Sequence, residues 1–135
     1  MGIESIGSGI ATRLETITGL KVYAPSELPD TLSQFPVALI LPRITEYYKD
    51  FDASADYIFR IIVCLTSADR PSAMNKLLDY IEPTGTYSIV AAIAGDTTLN
   101  STADDSVITE NTGFGAINWG GYLYLGTEFE LKVWG

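Results

Sequence analysis

Histidine is absent from this 135-residue chain. That removes the commonest general base at neutral pH, the Ser-His and Cys-His pairings, and the commonest transition-metal ligand. Cys64 is the lone cysteine, so neither an internal disulfide nor a cysteine metal cluster can form. Its setting, Ile61-Ile62-Val63-Cys64-Leu65, is that of a small core hydrophobe. Basic residues are scarce: 8 Lys and Arg stand against 17 Asp and Glu, a net charge of −9. A surface that grips DNA or RNA needs the opposite balance. Acidity of this kind either keeps a soluble protein soluble or repels a nucleic acid passing beside it. No apolar run approaches the roughly 18 residues that span a bilayer, so no membrane partner is expected. Met1–Leu20 lacks a basic start followed by an apolar run, and no signal peptide is expected. No phosphate loop or dinucleotide fingerprint is present. Gly7-Ser8-Gly9 lies inside a helical pattern, where tight packing or a fraying helix start accounts for it.

What is present is enough for one core. Hydrophobic residues make up 47% of the chain, too many for a disordered one, and the length suits a single domain over 1–135. Ile3, Ile6, Ile10, Leu14 and Ile17 recur at spacings of three and four and predict a first helix, with Gly19 placed for a left-handed cap. Lys21-Val22-Tyr23 reads as a short strand and Ala24–Phe35, with two prolines, as a loop. Val37–Leu41, an apolar run bracketed by Pro36 and Pro42, is too short for a helix and reads as a strand buried on both faces. Asp56–Thr66 is a longer strand. Between them, Arg43–Ala55 is either an extension of both strands into a long hairpin or an excursion.

Pro71, Met74, Leu77, Leu78 and Ile81 predict a helix that Pro83 stops. A shorter helix runs from Ser88, with Ile89, Ala92 and Ile93 on one face, to Gly95. The polar segment Asp96–Ser106 reads as a loop. Leu123, Leu125, Thr127, Phe129, Leu131 and Val133 alternate with Tyr122, Tyr124, Glu128, Glu130 and Lys132, predicting a half-buried strand. Val107–Asn118 is its expected partner, Gly120-Gly121 the turn, and Gly113 and Gly115 a bulge. The expected fold is α+β: a mostly antiparallel sheet with helices packed on one face, in the order α-β-β-β-α-α-β-β.

Little in this layout suggests chemistry. Asp50, Asp52 and Asp56 form one acidic cluster and Asp96, Asp104 and Asp105 another. Carboxylates hold Mg²⁺ or Ca²⁺, but neither cluster has the calcium-loop spacing. They read as solvated loop acids, and no catalytic, cofactor or metal site is expected. A small carboxylate- and Mg²⁺-dependent hydrolase is the outlying alternative. The aromatics are more informative. Tyr47, Tyr48 and Phe51 stand among charges in a segment where rings are poorly buried in an isolated monomer, and Trp134 lies on the polar face of the last strand. Either they fold back on their own core or they are interface anchors.

Several stretches carry a resemblance. They are Gly19-Leu20-Lys21-Val22-Tyr23, then Phe35-Pro36-Val37-Ala38-Leu39-Ile40-Leu41-Pro42, then Tyr80-Ile81-Glu82-Pro83-Thr84-Gly85-Thr86-Tyr87-Ser88-Ile89 running through Ala91-Ala92-Ile93. Asp96-Thr97-Thr98-Leu99 and Gly121-Tyr122-Leu123-Tyr124-Leu125-Gly126-Thr127-Glu128-Phe129 follow. In order and content the chain resembles the tail terminator (tail completion) proteins of long-tailed bacteriophages. The motifs are structural and span most of the chain. The resemblance implies a virion protein without enzymatic activity, assembled in the bacterial cytoplasm as a ring, usually of six subunits. Such a ring would seat on the tail tube protein, end tube polymerisation and meet the head-tail connector or stopper protein, with DNA crossing its lumen without specific binding. Tyr47, Tyr48, Phe51 and Trp134 would then be subunit or tube contacts, and Asp50 and Asp52 lumen or rim charges. A head-completion or neck protein on the portal side is the neighbouring alternative.

Overall fold

The computed structural model describes residues 3–17, 19–30, 32, 35–47, 55–67 and 78–134, with the backbone alone at 46, 47, 55, 66, 67 and 114. In chain order the elements are α1 (Ile3–Leu14), β1 (Lys21–Tyr23), a 3-10 turn (Pro25–Glu27), β2 (Val37–Tyr47), β3 (Ala55–Ser67), α2 (Ile89–Ala94), β4 (Asp105–Trp119) and β5 (Tyr122–Trp134). Residues 78–81 form a further helical turn, the described end of the helix expected before Pro83. The described strands make one five-stranded sheet in the order β1-β2-β3-β5-β4. Among the described residues only β1 and β2 pair in parallel, and the other three pairings are antiparallel. The protein is therefore α+β with a mostly antiparallel sheet, in the expected order.

Helical periodicity explains the first layer. Ile6, Ile10 and Leu14 of α1 and Ile89, Ala92 and Ile93 of α2 share a buried cluster with Ala38, Ile40, Phe59, Ile61, Phe129, Leu131 and Val133 from one face of the sheet. Tyr80 of the 78–81 turn joins them. Ser88 caps α2 by accepting from Ala91 N at 3.0 Å, satisfying a donor that would otherwise be unpaired. α1 ends at Leu14, one turn short of the expected Ile17, but Ile17 still reaches the core. The chain then turns through Gly19 at φ +83°, a conformation that suits a residue without Cβ. Gly7 and Gly9 are packing glycines, as expected of the helix. A Cβ at Gly7 would meet the ring of Pro25, and one at Gly9 the carbonyl of Leu99 and the hydroxyl of Thr102.

The sheet's second face has a smaller cluster. Val37, Leu39, Ile62, Cys64, Tyr124 and Leu32 are buried together, with Leu28, Ile117 and Trp119 against them. β2 therefore contributes to both cores, which is why Val37–Ile40 is continuously apolar. Trp119 Nε1 donates to Pro29 O at 2.9 Å and pins the proline-rich loop to this face.

That loop overturns one expectation. Leu123 was expected inside and Tyr124 outside, yet Leu123 is 56% exposed and Tyr124 only 6%. Period-two alternation places the two on opposite faces but does not say which face is covered. Here the loop carrying Leu28 and Leu32 covers the second face, and the ring of Phe35 lies 5.5 Å from that of Tyr124. The bulge also differs. The register shifts between Asn111 and Phe114, around Gly113 at φ +78°, whereas Gly115 stays in register opposite Gly126. Gly120 and Gly121, at φ +60° and +86°, make the tight turn the β4–β5 hairpin requires.

Candidate functional site

Away from the proline-rich loop, the second face of the sheet is open among the described residues. Cross-strand register arranges its side chains in rows, because paired residues share a face. One row runs Leu41, Arg60, Glu130, Glu110 from β2 to β4; the next marks Ile44, Ile58, Lys132, Val107; a third Glu46, Asp56, Trp134, Asp105. The inner face of β5 is apolar under the helices, so charge can occupy only its other side. Glu128, Glu130 and Lys132 alternate there with buried Phe129, Leu131 and Val133.

Two ion pairs cross the strands. Arg43 Nη1 lies 3.0 Å from Glu130 Oε2, and Arg60 Nε pairs with Glu128 Oε1. Both are solvent-accessible, and pairs of that kind contribute about 0–1 kcal/mol, so they orient side chains more than they stabilise the fold. Together with Glu110, Thr112 and Phe129 these four line a shallow cavity of about 340 Å³. Glu110 stands directly opposite Glu130, a like-charge cross-strand placement that is unfavourable by itself. Lys132 Nζ sits 5.4 Å from the centre of the Trp134 ring, within cation–π range. Apolar side chains flank the charges: Ile44 is 41% and Val107 45% exposed.

The structure brings some expected contact residues to this end. β2 pairs with β3 out to Tyr47 opposite Ala55, so the flanking strands extend into the Arg43–Ala55 segment, of which 48–54 lie outside the described residues. Trp134 lies opposite Asp56, one row from the Tyr47–Ala55 pair, and is half-buried. Tyr48, Asp50, Phe51 and Asp52 lie outside the described residues. Arg43, Ile44, Val107 and Glu110 are the residues that pattern reading missed. Register shifts at Pro42/Ile44 and Ile108/Glu110 break the alternation around them. The opposite end of the sheet holds a second missed feature. Residues 113–127 carry no charged side chain, yet their hairpin tip exposes Tyr122 (61%) beside Leu123.

Reactive chemistry finds little to build on. Among the described residues no three Cys, Asp or Glu side chains gather as a metal site. Burial pushes the Cys64 thiol up to about 11 and the Tyr80 phenol up to about 12, away from any nucleophilic role at neutral pH. Asp96 is held below its ordinary value chiefly by the Thr98 hydroxyl. Its carboxylate accepts from Thr98 Oγ1 at 2.5 Å, Thr98 N at 3.1 Å and Asn100 N at 3.2 Å. That is a side-chain-closed turn, and it commits the acid to loop structure.

No protein-family model matches this chain, and a search of the curated proteins finds no match.

Proposed function

We propose that this protein acts by assembling with copies of itself, as a ring that caps a phage tail tube and joins it to the head connector. The observation that carries the reading is the placement of exposed apolar side chains at opposite ends of one sheet. Ile44 and Val107 lie among charges at one end, and Tyr122 and Leu123 occupy an uncharged hairpin tip at the other. Exposed apolar side chains of this kind can be buried in contacts between copies. Two unlike patches on one subunit suit head-to-tail contacts, which close into rings when the rotation allows. A terminator needs the same asymmetry: one face that matches the tube and another that does not continue it. The resemblance of the chain to tail terminators supplies the setting, and the charge of −9 suits a lumen that repels the DNA backbone.

Negative-stain imaging of the purified protein, alone and with assembled tail tubes, tests this. Rings seated on one end of the tubes are the expected result. Rings that ignore tubes and bind portal assemblies would move the protein to the head side of the joint. A protein that stays monomeric in both conditions would sink the proposal.

A further inference from the structure

We infer that two copies of this chain pair along the outer edge of β4, antiparallel across a two-fold axis at Ile117, with Ala116 of each opposite Asn118 of the other. The pairing does not depend on the ring, because a two-fold contact closes on a pair, whether of single chains or of rings. Unpaired strand edges invite addition of another strand, and proteins blunt them with lysine, proline, other charges or bulges. Most of this sheet's border is blunted in that way. The outer strand β1 carries exposed Lys21, whose ammonium lies 5.2 Å from the centre of the Tyr23 ring. Beyond its pairing with β1, β2 carries Pro42, Arg43 and Glu46 and a register shift between Pro42 and Ile44. The first half of β4 carries Asp105 and Glu110, with shifts at Ile108/Glu110 and Asn111/Phe114.

Beyond the second shift these guards stop. Phe114–Trp119 pairs with β5 residue for residue, contains neither charge nor proline, and has no described strand on its other side. Gly115, Ala116 and Asn118 are exposed. Specific hydrogen bonds hold the bulge where this run begins. Asn111 Nδ2 donates to Thr127 Oγ1 at 2.7 Å and to Glu128 O at 3.0 Å, while Asn111 Oδ1 accepts from Gly113 N at 2.8 Å. The buried Thr127 hydroxyl donates to Gly113 O at 2.6 Å. The bulge thus separates an acidic half of β4 from a regular, neutral half.

Charge and side-chain size name the occupant as a second copy of the same edge. Copies that each carry a net charge of −9 repel one another, and this stretch brings no charge to their contact. It is also complementary to itself. Directly opposed residues of antiparallel strands share a face, so an axis at Ile117 sets Ile117 against Ile117, Ala116 against Asn118 and Gly115 against Trp119. A Cβ at Gly115 would meet nothing within 4 Å, so the glycine leaves room beside the indole opposite, a favourable pairing at sheet edges. Trp119 is already oriented by its bond to Pro29 O. An axis at Ala116 would instead bring Gly113 of the bulge opposite Trp119, and an axis at Asn118 would shorten the paired run. With the axis at Ile117, Glu110 of each copy lies beyond the end of the partner's β4, and the acidic halves point away from each other.

Two double variants at the exposed positions test the pairing and its register. Ala116→Lys with Asn118→Lys sets lysine against lysine on both sides of the axis. Ala116→Lys with Asn118→Glu sets lysine against glutamate at the same two places. Sedimentation velocity reads the mass, and thermal unfolding checks that each variant keeps the fold. The lysine–lysine variant should show half the parental mass at the same concentration, because like charges then meet twice in every contact. The lysine–glutamate variant should keep the parental mass. Parental mass in the lysine–lysine variant would overturn the edge pairing and leave the ring standing. A folded lysine–glutamate variant of halved mass would overturn the register at Ile117. A parent that sediments as a single chain would overturn the pairing outright, whereas paired chains that never form rings on tubes would sink the ring alone.

Discussion

Gly9 of α1 lies directly beneath the backbone carbonyl of Leu99, so a helix and a loop that are distant in sequence touch through a missing side chain. Leu99 is fully buried, and with Asn100 and Ser101 it forms three successive residues at φ +52°, +60° and +64°. L-residues adopt that left-handed region reluctantly. Here the turn is held by Asp96 on one side and by Thr102 Oγ1, which donates to Leu99 O at 2.7 Å, on the other. Gly9→Ala should therefore destabilise the protein by about 1–3 kcal/mol through overpacking. Leu99→Ala should cost about 2–5 kcal/mol by emptying a core position. Chemical denaturation of each variant checks both.

Acid should loosen the same loop. The Thr98 hydroxyl, followed by the backbone N–H groups of Thr98 and Asn100 and the charge of Arg13, lowers the Asp96 carboxyl from its ordinary 3.8. A carboxyl depressed in the folded state stabilises it above the unfolded value and loses that contribution as pH falls through the folded one. Stability should thus decline with acidification below about 4. Asp96→Asn should flatten that part of the profile, measured as denaturation midpoint against pH. A slope unchanged by the substitution would remove Asp96 from the account.

Cys64 should be inert while the protein is folded. It is fully buried in the smaller core, and burial raises its thiol to about 11. Thiolate is the reactive species, so a thiol-specific chromogenic reagent at mildly alkaline pH should label no cysteine in native protein and one per chain after denaturation. Stoichiometric labelling of the native form would show the smaller core opening under native conditions.

Tyr47, Tyr48 and Phe51 should matter for assembly and not for folding. Replacing Tyr47, Tyr48 and Phe51 together with Ser should abolish rings and leave the monomer with its parental unfolding transition. Image classes of intact rings from the triple variant would rule out these aromatics as anchors. Because Tyr47 lies one register row from Trp134, Trp134 fluorescence offers a second readout of assembly at this end.

Much of the fold was legible before the structure. The three- and four-residue spacing of isoleucines set α1, Ser88 and Gly95 bracketed α2, and alternation from Thr127 to Val133 set the inner face of β5. Each depends on neighbours within one or two turns or strand steps, so local sequence carries it. The β2–β3 hairpin stayed ambiguous because Arg43–Ala55 mixes rings and charges without a period. The candidate site was legible only in fragments. Trp134 and Tyr47 stood out by type, whereas Ile44, Arg43, Val107 and Glu110 did not.

Sequence alone determined which residues are apolar, where helices and strands begin, and that histidine and disulfide chemistry have no part here. Tertiary structure decided which side of each strand is covered. Leu123 and Tyr124 show the difference: alternation separates them, but only the proline-rich loop folding onto the second face buries the tyrosine and leaves the leucine in solvent. Tertiary structure likewise decided that Ile44 and Val107 end one row at opposite borders of the sheet. Register between strands and coverage by distant loops arise from contacts across the whole chain, and local periodicity does not encode them.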